Sequence, residues 1–509
     1  AVVMILELTG VRLFAPFLGT SIFVWTSLIG VILASLSVGY WWGGAVADRN
    51  PSARRLAIII LAAAVLIAAV PIVNEFILVW IRRVVTDVRI ASVSAAILLF
   101  APATILLGMV APFAVRLRIL EVAQAGRTVG RLYAWSAVGS IVGTFMAGFV
   151  LFAYIGTLKI FFILSILLVV ASALTCVEKL IKEQLFLICI LGAGFVVQQM
   201  LLKEQAQNGI IDVDTRYSRV RIVDRVEQES GRTARLLLNG VCGVQGGIYL
   251  DQFRDAGNVP LDVDPFAKLE GQLHGSAERA AFRYFEFFRL NEHFQPTQTR
   301  ALVIGGGAYV YPRSLLERFP DAGIDVLEID PQLTALAEQY FYLKPDSRLN
   351  IINVDGRVFL NGAQAEAYDS VVIDAFNANC AVPFHLASVE AVSKVHHVLK
   401  NGGVVLVNLI SALEGQKGRF FQAAYATYKK IFPQVYAFAM DSPELATKKQ
   451  NIFIVALKSQ QVPDFVSDDI LMNEYLRHLW KGEVSEDVVI LTDDFAPVDY
   501  YVSEWVLPS

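Results

Sequence analysis

A chain of 509 residues with a formal net charge of −4 carries no overall basic field, which argues against nucleic acid as a partner. Its 55 % hydrophobic residues exceed the share of an ordinary soluble protein, and the excess is unevenly spread. Up to Leu202 long apolar runs are broken by short charged loops, and from Lys203 onward charge and turn residues return to soluble density. A membrane half followed by a soluble half is expected, divided into a transmembrane domain over 1–203, a β-hairpin subdomain over 204–262, a nucleoside-binding domain over 263–460 and a C-terminal extension over 461–509 that packs near the active site.

Crossing a bilayer as helix takes about twenty apolar residues. Runs of that kind lie near 1–18, 22–44, 56–80, 91–115, 132–155, 158–177 and 185–202, which predicts about seven spans in contact with lipid. The chain opens inside an apolar run without the basic start of a signal peptide, so that run reads as a first span. Gly39, Gly43 and Ala47, and Gly130, Ala134, Gly139, Gly143 and Gly148, are spaced for close helix packing. Glu7 and Arg12 are the ionisable residues deep in a span; they can pair with each other, line a polar cavity or snorkel to an interface. Loop lysines and arginines divide nine against six, a bias that by itself puts the soluble half outside. The strand-end motifs of the soluble half outweigh that bias, and the expectation is a bacterial inner-membrane protein with its soluble half cytoplasmic. Cys176, Cys189, Cys242 and Cys380 show no CxxC or Cys/His spacing, so no metal site is predicted and reduced thiols are expected.

In the soluble half, residues 212–250 alternate apolar and polar positions around a Gly/Ser turn at 230–231, the pattern of a β-hairpin. An aromatic-rich helical segment follows over 265–294. After a first strand at 301–304 the order is helix 313–319, strand 324–329, helix 332–341, strand 350–353, helix 357–362, strand 369–374, helix 387–399, strand 403–409, helix 417–431 and strands near 434–440 and 451–457. Strands alternating with helices predict an α/β, doubly wound, largely parallel sheet behind the α-helical membrane bundle.

Ligands gather at the carboxyl ends of such strands, and Gly305, Glu328, Asp355 and Asp374 all fall there. Gly305, Gly306 and Gly307 let backbone approach a ligand, and an acidic residue about twenty positions on can accept both ribose hydroxyls. A single glycine turn or strand-end acid often only caps the next helix; four such ligand-type positions at successive strand ends predict a nucleoside site.

VIGGGAYVYPR at 303–313, VLEIDP at 326–331, NVDGRVFL at 353–360 and YDSVVIDAFN at 368–377 resemble the glycine, ribose, adenine and catalytic motifs of the spermidine synthase family. The hairpin with LLLNG at 236–240 and the membrane segment ELTGVRLFAPFLGTSIFVWTSLIG resemble its membrane-fused bacterial branch. The resemblance implies a Rossmann-like, methyltransferase-type domain of polyamine biosynthesis. Its donor is decarboxylated or intact S-adenosylmethionine, and its chemistry requires no metal. It implies donor contacts at Gly305, Gly306, Gly307 and Ala308, at Glu328, Ile329 and Asp330, and at Asp355 and Gly356, with Asp374 as the base that deprotonates an amine acceptor.

Two departures from the family pattern bear on the reaction. Ala308 stands where the family has an aspartate after the glycines, and Asn377 where the catalytic loop has a second one. Without a carboxylate to repel it, the carboxylate of intact S-adenosylmethionine becomes acceptable, and a dicationic acceptor loses a partner. Aminopropyl transfer is thus set against methyl transfer or a related reaction, with a nucleoside- or polyamine-regulated transporter or sensor as a different class of answer. Tyr309, Tyr311 and His385 flank the predicted pocket and are candidate acceptor contacts, as is Asp494 in LTDDFAPVDYY, which folds back over the cofactor mouth or forms a capped turn. The acceptor is a small amine or a membrane-delivered molecule; anchoring or homodimer formation through the spans explains the fusion equally well.

Overall fold

The computed structural model describes residues 1–118, 125–176, 182–200 apart from 185, 189, 191, 193, 197 and 198, then 210–226, 231–239, 243–250, 284–376 and 380–503. The chain forms two compact units, Ala1–Arg219 and Val220–Val506. Asn377, Gly240, the 265–283 part of the aromatic segment and parts of the 185–202 run lie outside the described residues.

Among the described residues of the first unit, five helices are long and apolar enough to cross a membrane: Ile22–Arg49, Ala53–Val84, Ala101–Arg118, Gly126–Leu151 and Thr157–Thr175. The apolar run at 91–115 is interrupted at Phe100, between helices Val88–Leu99 and Ala101–Arg118, an interruption that hydropathy does not register because both pieces are apolar. The first run forms a helix of 17 residues, Val2–Leu18. Gly39 and Gly43 are required by packing: a Cβ on Gly39 would strike the Ile105 carbonyl, and one on Gly43 would lie 2.6 Å from the Met109 Cα. Ser165 and Ser172 donate to the Ala64 and Ala57 carbonyls at 2.7 and 2.9 Å and join two further helices where no water competes. Arg12 donates to the carbonyls of Phe152 and Thr215 and lies 4.9 Å over the Phe152 ring. β1 (Ile210–Asp214) closes this unit, with the Asp214 carboxylate accepting from the Thr157 backbone N–H at 2.5 Å, at the start of helix Thr157–Thr175.

The second unit opens with antiparallel strands β2 (Arg219–Val226), β3 (Thr233–Asn239) and β4 (Gly243–Tyr249). The expected hairpin is present, extended by one strand. Its main sheet holds β5 (Arg300–Ile304), β6 (Gly323–Leu327), β7 (Leu349–Ile352), β8 (Tyr368–Ile373), β9 (Leu399–Ser411), β10 (Gln434–Ala439) and β11 (Gln450–Leu457), in the order β10-β11-β9-β8-β5-β6-β7. β5 to β9 pair in parallel, and β11 runs antiparallel between β9 and β10. This is a Rossmann-like doubly wound sheet. β5 lies between β6 and β8, so the chain reverses its direction of winding there, and a crevice forms beyond the ends of β5 and β8.

The central strands read as near-continuous apolar runs because helices cover both faces, and β8 is buried along its whole length. Cys380, just after β8, is disulfide-bonded, which corrects the expectation of reduced thiols throughout; Cys176 is free. A disulfide depends on how close two cysteines come in space, which sequence spacing does not report.

Candidate active site

The glycine turn after β5 is shaped by what lies behind it. Gly305 has φ +106°, and a Cβ there would strike the Asp374 carbonyl, so the ends of β5 and β8 touch at a point that admits only glycine. A Cβ on Gly306 would lie 2.7 Å from the Tyr309 ring. Tyr309 adopts the left-handed region with φ +56°, uncommon for a bulky residue, and its hydroxyl hydrogen-bonds Thr334 at 2.7 Å. Tyr309 is fully buried beneath the turn, and Tyr311 is 5 % exposed, against Phe288 and accepting from the Asn291 amide. Both therefore support the turn from below and do not line the cleft as candidate acceptor contacts would.

Ala308 is 2 % exposed and meets the hairpin: a Cβ on Gly246 of β4 would lie only 2.8 Å from the Ala308 methyl. Glu328, at the end of β6, accepts from the Gly306 N–H at 2.9 Å through one oxygen and from the Asp330 N–H at 2.8 Å through the other. Burial raises its pKa, and the backbone donors offset part of that rise. The carboxylate thus fixes the glycine turn and keeps lone pairs for a ribose diol. Ile329 is 40 % exposed, an apolar face offered at the strand end beside two acids, as a stacked base requires. Asp330 caps helix Pro331–Tyr340 and Asp355 caps helix Gly356–Gly362. The second Asp355 oxygen meets His385 Nε2 at 3.2 Å, so His385 sits on the acid expected to contact adenine. Gly356 is held close, since a Cβ there would lie 2.7 Å from an Ile304 methyl.

Asp374 stands at the end of β8, with its backbone N–H donating to the Ile304 carbonyl at 2.9 Å. Tyr284 donates its hydroxyl to one carboxylate oxygen, and Asn408 of β9 donates its amide to the other at 3.0 Å. Burial pushes the Asp374 carboxyl up to about 6 against the pull of those two donors. Neither partner was singled out in the sequence. Tyr284 belongs to an aromatic cluster with Phe287, Phe288 and Phe453 that reads as ordinary core, and Asn408 is a lone polar residue in a buried strand, the one signal available.

The C-terminal segment forms the capped turn, with the Phe495 N–H donating to Thr492 Oγ1 at 2.9 Å, and Asp493, exposed like Asp494, ties it back to the sheet domain. Asp493 accepts from Arg357 at 2.6 Å and from Ser388 at 2.5 Å, and its N–H donates to Glu390 at 2.9 Å. Asp493→Ala is expected to raise amide exchange across 491–498 about tenfold, since charge-assisted bonds at a half-buried arginine exceed the value of an exposed pair. Unchanged exchange by mass spectrometry would show that the segment is held by apolar packing alone.

A glycine turn, a strand-end acid and a buried carboxylate two strands away from it stand together at one end of a Rossmann-like sheet. Residues 288–464 match the spermine/spermidine synthase domain. It is 31 % identical over 160 residues to the polyamine aminopropyltransferase of Vibrio vulnificus (strain CMCP6), covering 30 % of this chain and 52 % of that protein. It is 33 % identical over 214 residues to the N-terminal histidine N-methyltransferase of Emericella nidulans, covering 38 % of this chain and 36 % of that one. The chain thus spans about half the length of the first of these relatives and less of the second. A probable spermidine synthase from Corynebacterium glutamicum ATCC 13032 aligns in structure with 17 % identity and a TM-score of 0.42, covering 56 % of this chain and 96 % of its own.

Proposed function

We propose that this chain is a membrane-anchored transferase that alkylates an amine from an adenosyl sulfonium donor, with Asp374 as the base. The observation that carries the reading is the placement of Asp374. Its backbone carbonyl backs the glycine turn at Gly305, and its carboxylate is held by Tyr284 and Asn408, with a pKa pushed up to about 6 that suits a base working near neutrality. Glu328 would hold the ribose hydroxyls, Ile329 one face of the adenine and Asp355 its amino group, after His385 yields. A sulfonium makes its neighbouring carbon electrophilic; the protein's part is to align the amine and take its proton on Asp374.

Aminopropyl transfer from decarboxylated S-adenosylmethionine is the reading the domain family favours. A second reading, methyl transfer or a related reaction of the intact donor, is favoured by Ala308: no carboxylate stands after the glycines, and the hairpin at Gly246 fills the space one would need. Titrating the full chain with both donors, then incubating with diamines and examining products by mass spectrometry, separates them. An added aminopropyl group supports the first reading, an added methyl group the second, and failure to bind either donor removes both.

We place the catalytic unit on the cytoplasmic side because the donor is made there. The Cys380 disulfide favours the oxidising side instead. Placing a cysteine at Ile470, which is 88 % exposed, and labelling intact cells with an impermeant thiol reagent decides: modification from outside would reverse the assignment.

A further inference from the structure

Asn408 lies in the middle of β9 with no exposed surface, flanked by Val407 and Leu409. A buried carboxamide is costly unless both its ends are paired. Its Nδ2 donates to Asp374 at 3.0 Å, and its Oδ1 accepts from Asn451 Nδ2 at 3.0 Å. Asn451 belongs to β11, where Phe453 stands directly opposite Asn408 and Asn451 is the diagonal neighbour on the same face. Reversing the Asn408 amide would aim its oxygen at the Asp374 carboxylate and its NH2 at the Asn451 donor, so two like contacts would replace two good ones.

We infer that Asn451, acting through Asn408, is a positioning residue for Asp374: it locks the amide so that a donor always faces the carboxylate. The inference rests on the reading of Asp374 as the base. Phe453 packs against Phe287 and Phe288 at 5.3 and 5.4 Å and lies 6.5 Å from Tyr284, so the same strand that locks Asn408 also seats the aromatic segment whose tyrosine serves the other oxygen. β11 thereby sets both donors of the base, although neither of its residues touches Asp374. Tyr284 and Asn408 face the carboxylate; among the described residues Tyr284 is the titratable group in contact with it, and burial beside Asp374 keeps its hydroxyl protonated.

The test follows the protonation of Asp374 in the full-length protein. Its carboxyl stretch, identified by its disappearance in Asp374→Asn, is titrated by infrared difference spectroscopy beside the pH dependence of turnover. Asn451→Leu and Asn408→Leu are each expected to raise the midpoint and the acid limb by about one pH unit, lowering turnover near pH 5.5 about tenfold with little change at pH 8. The double variant is expected to match Asn408→Leu alone. Asn451→Ser, too short to reach Asn408, is expected to repeat the shift if the leucine variant fails to fold. A folded Asn451 variant with an unmoved midpoint, or shifts that add in the double variant, would overturn the relay. A wild-type protein that alkylates nothing would instead remove the proposed function, with the carboxyl titration still deciding the relay.

Discussion

Asp374→Asn is expected to lower turnover about 10²–10⁴-fold while leaving donor affinity within a few-fold. The asparagine keeps the shape of the carboxylate and can still pair with Tyr284 and Asn408, so the glycine turn and ribose side remain in place; what disappears is the proton acceptor. In the wild type the same residue sets the acid limb. Below about pH 6 the carboxyl holds its proton, and activity should fall tenfold per pH unit. The linkage to stability has the opposite sense from a salt-bridged aspartate. The folded-state pKa is raised, so the unfolded chain ionises first as pH climbs from about 4, and the folded state loses stability until about pH 6, above which the loss is complete. Removing the charge recovers up to about 3 kcal/mol at pH 8 and nothing near pH 3. Turnover, isothermal titration with donor, and urea midpoints at pH 4, 6 and 8 check the three limbs. A mutant with full activity would take Asp374 out of the mechanism.

Much of this site was legible because its residues occupy positions that the chain pattern itself marks. Gly305, Glu328, Asp355 and Asp374 end apolar strands, and a parallel sheet brings strand ends together whatever the loops do. The structure adds the reason Gly305 must be glycine, the Asp374 carbonyl behind it. Tyr309 and Tyr311 were misleading for the same reason that the turn was clear: residues after a tight turn read as loop, whereas the turn here folds its tyrosines under itself. Tyr284, Asn408 and Asn451 were not legible. Each contacts its partner across more than 30 positions of sequence, and no local periodicity reports a diagonal pair between β9 and β11. In the first unit, hydropathy located the apolar segments but not the interruption at Phe100, since the helices on both sides of it are apolar.

Ala308→Asp, the change that restores the family's residue, is expected to damage the protein without converting its donor preference. In this chain the side chain at 308 faces the hairpin so closely that a Cβ on Gly246 would lie 2.8 Å from its methyl, and 2 % of the alanine is exposed. A carboxylate there has neither room nor a charged partner. Overpacking and an uncompensated buried charge together cost about 3 kcal/mol or more, and the strain is relieved by pushing β4 off the glycine turn. The urea midpoint should fall accordingly, and both donors should bind at least tenfold more weakly, because the turn that Glu328 holds is the cradle itself. The glycine at 246 and the alanine at 308 then act as one pair: hairpin and turn meet directly where the family that the sequence resembles has a carboxylate. If Ala308→Asp keeps wild-type stability and gains preference for the decarboxylated donor, position 308 faces the cleft, and selection between donors resides in that one side chain.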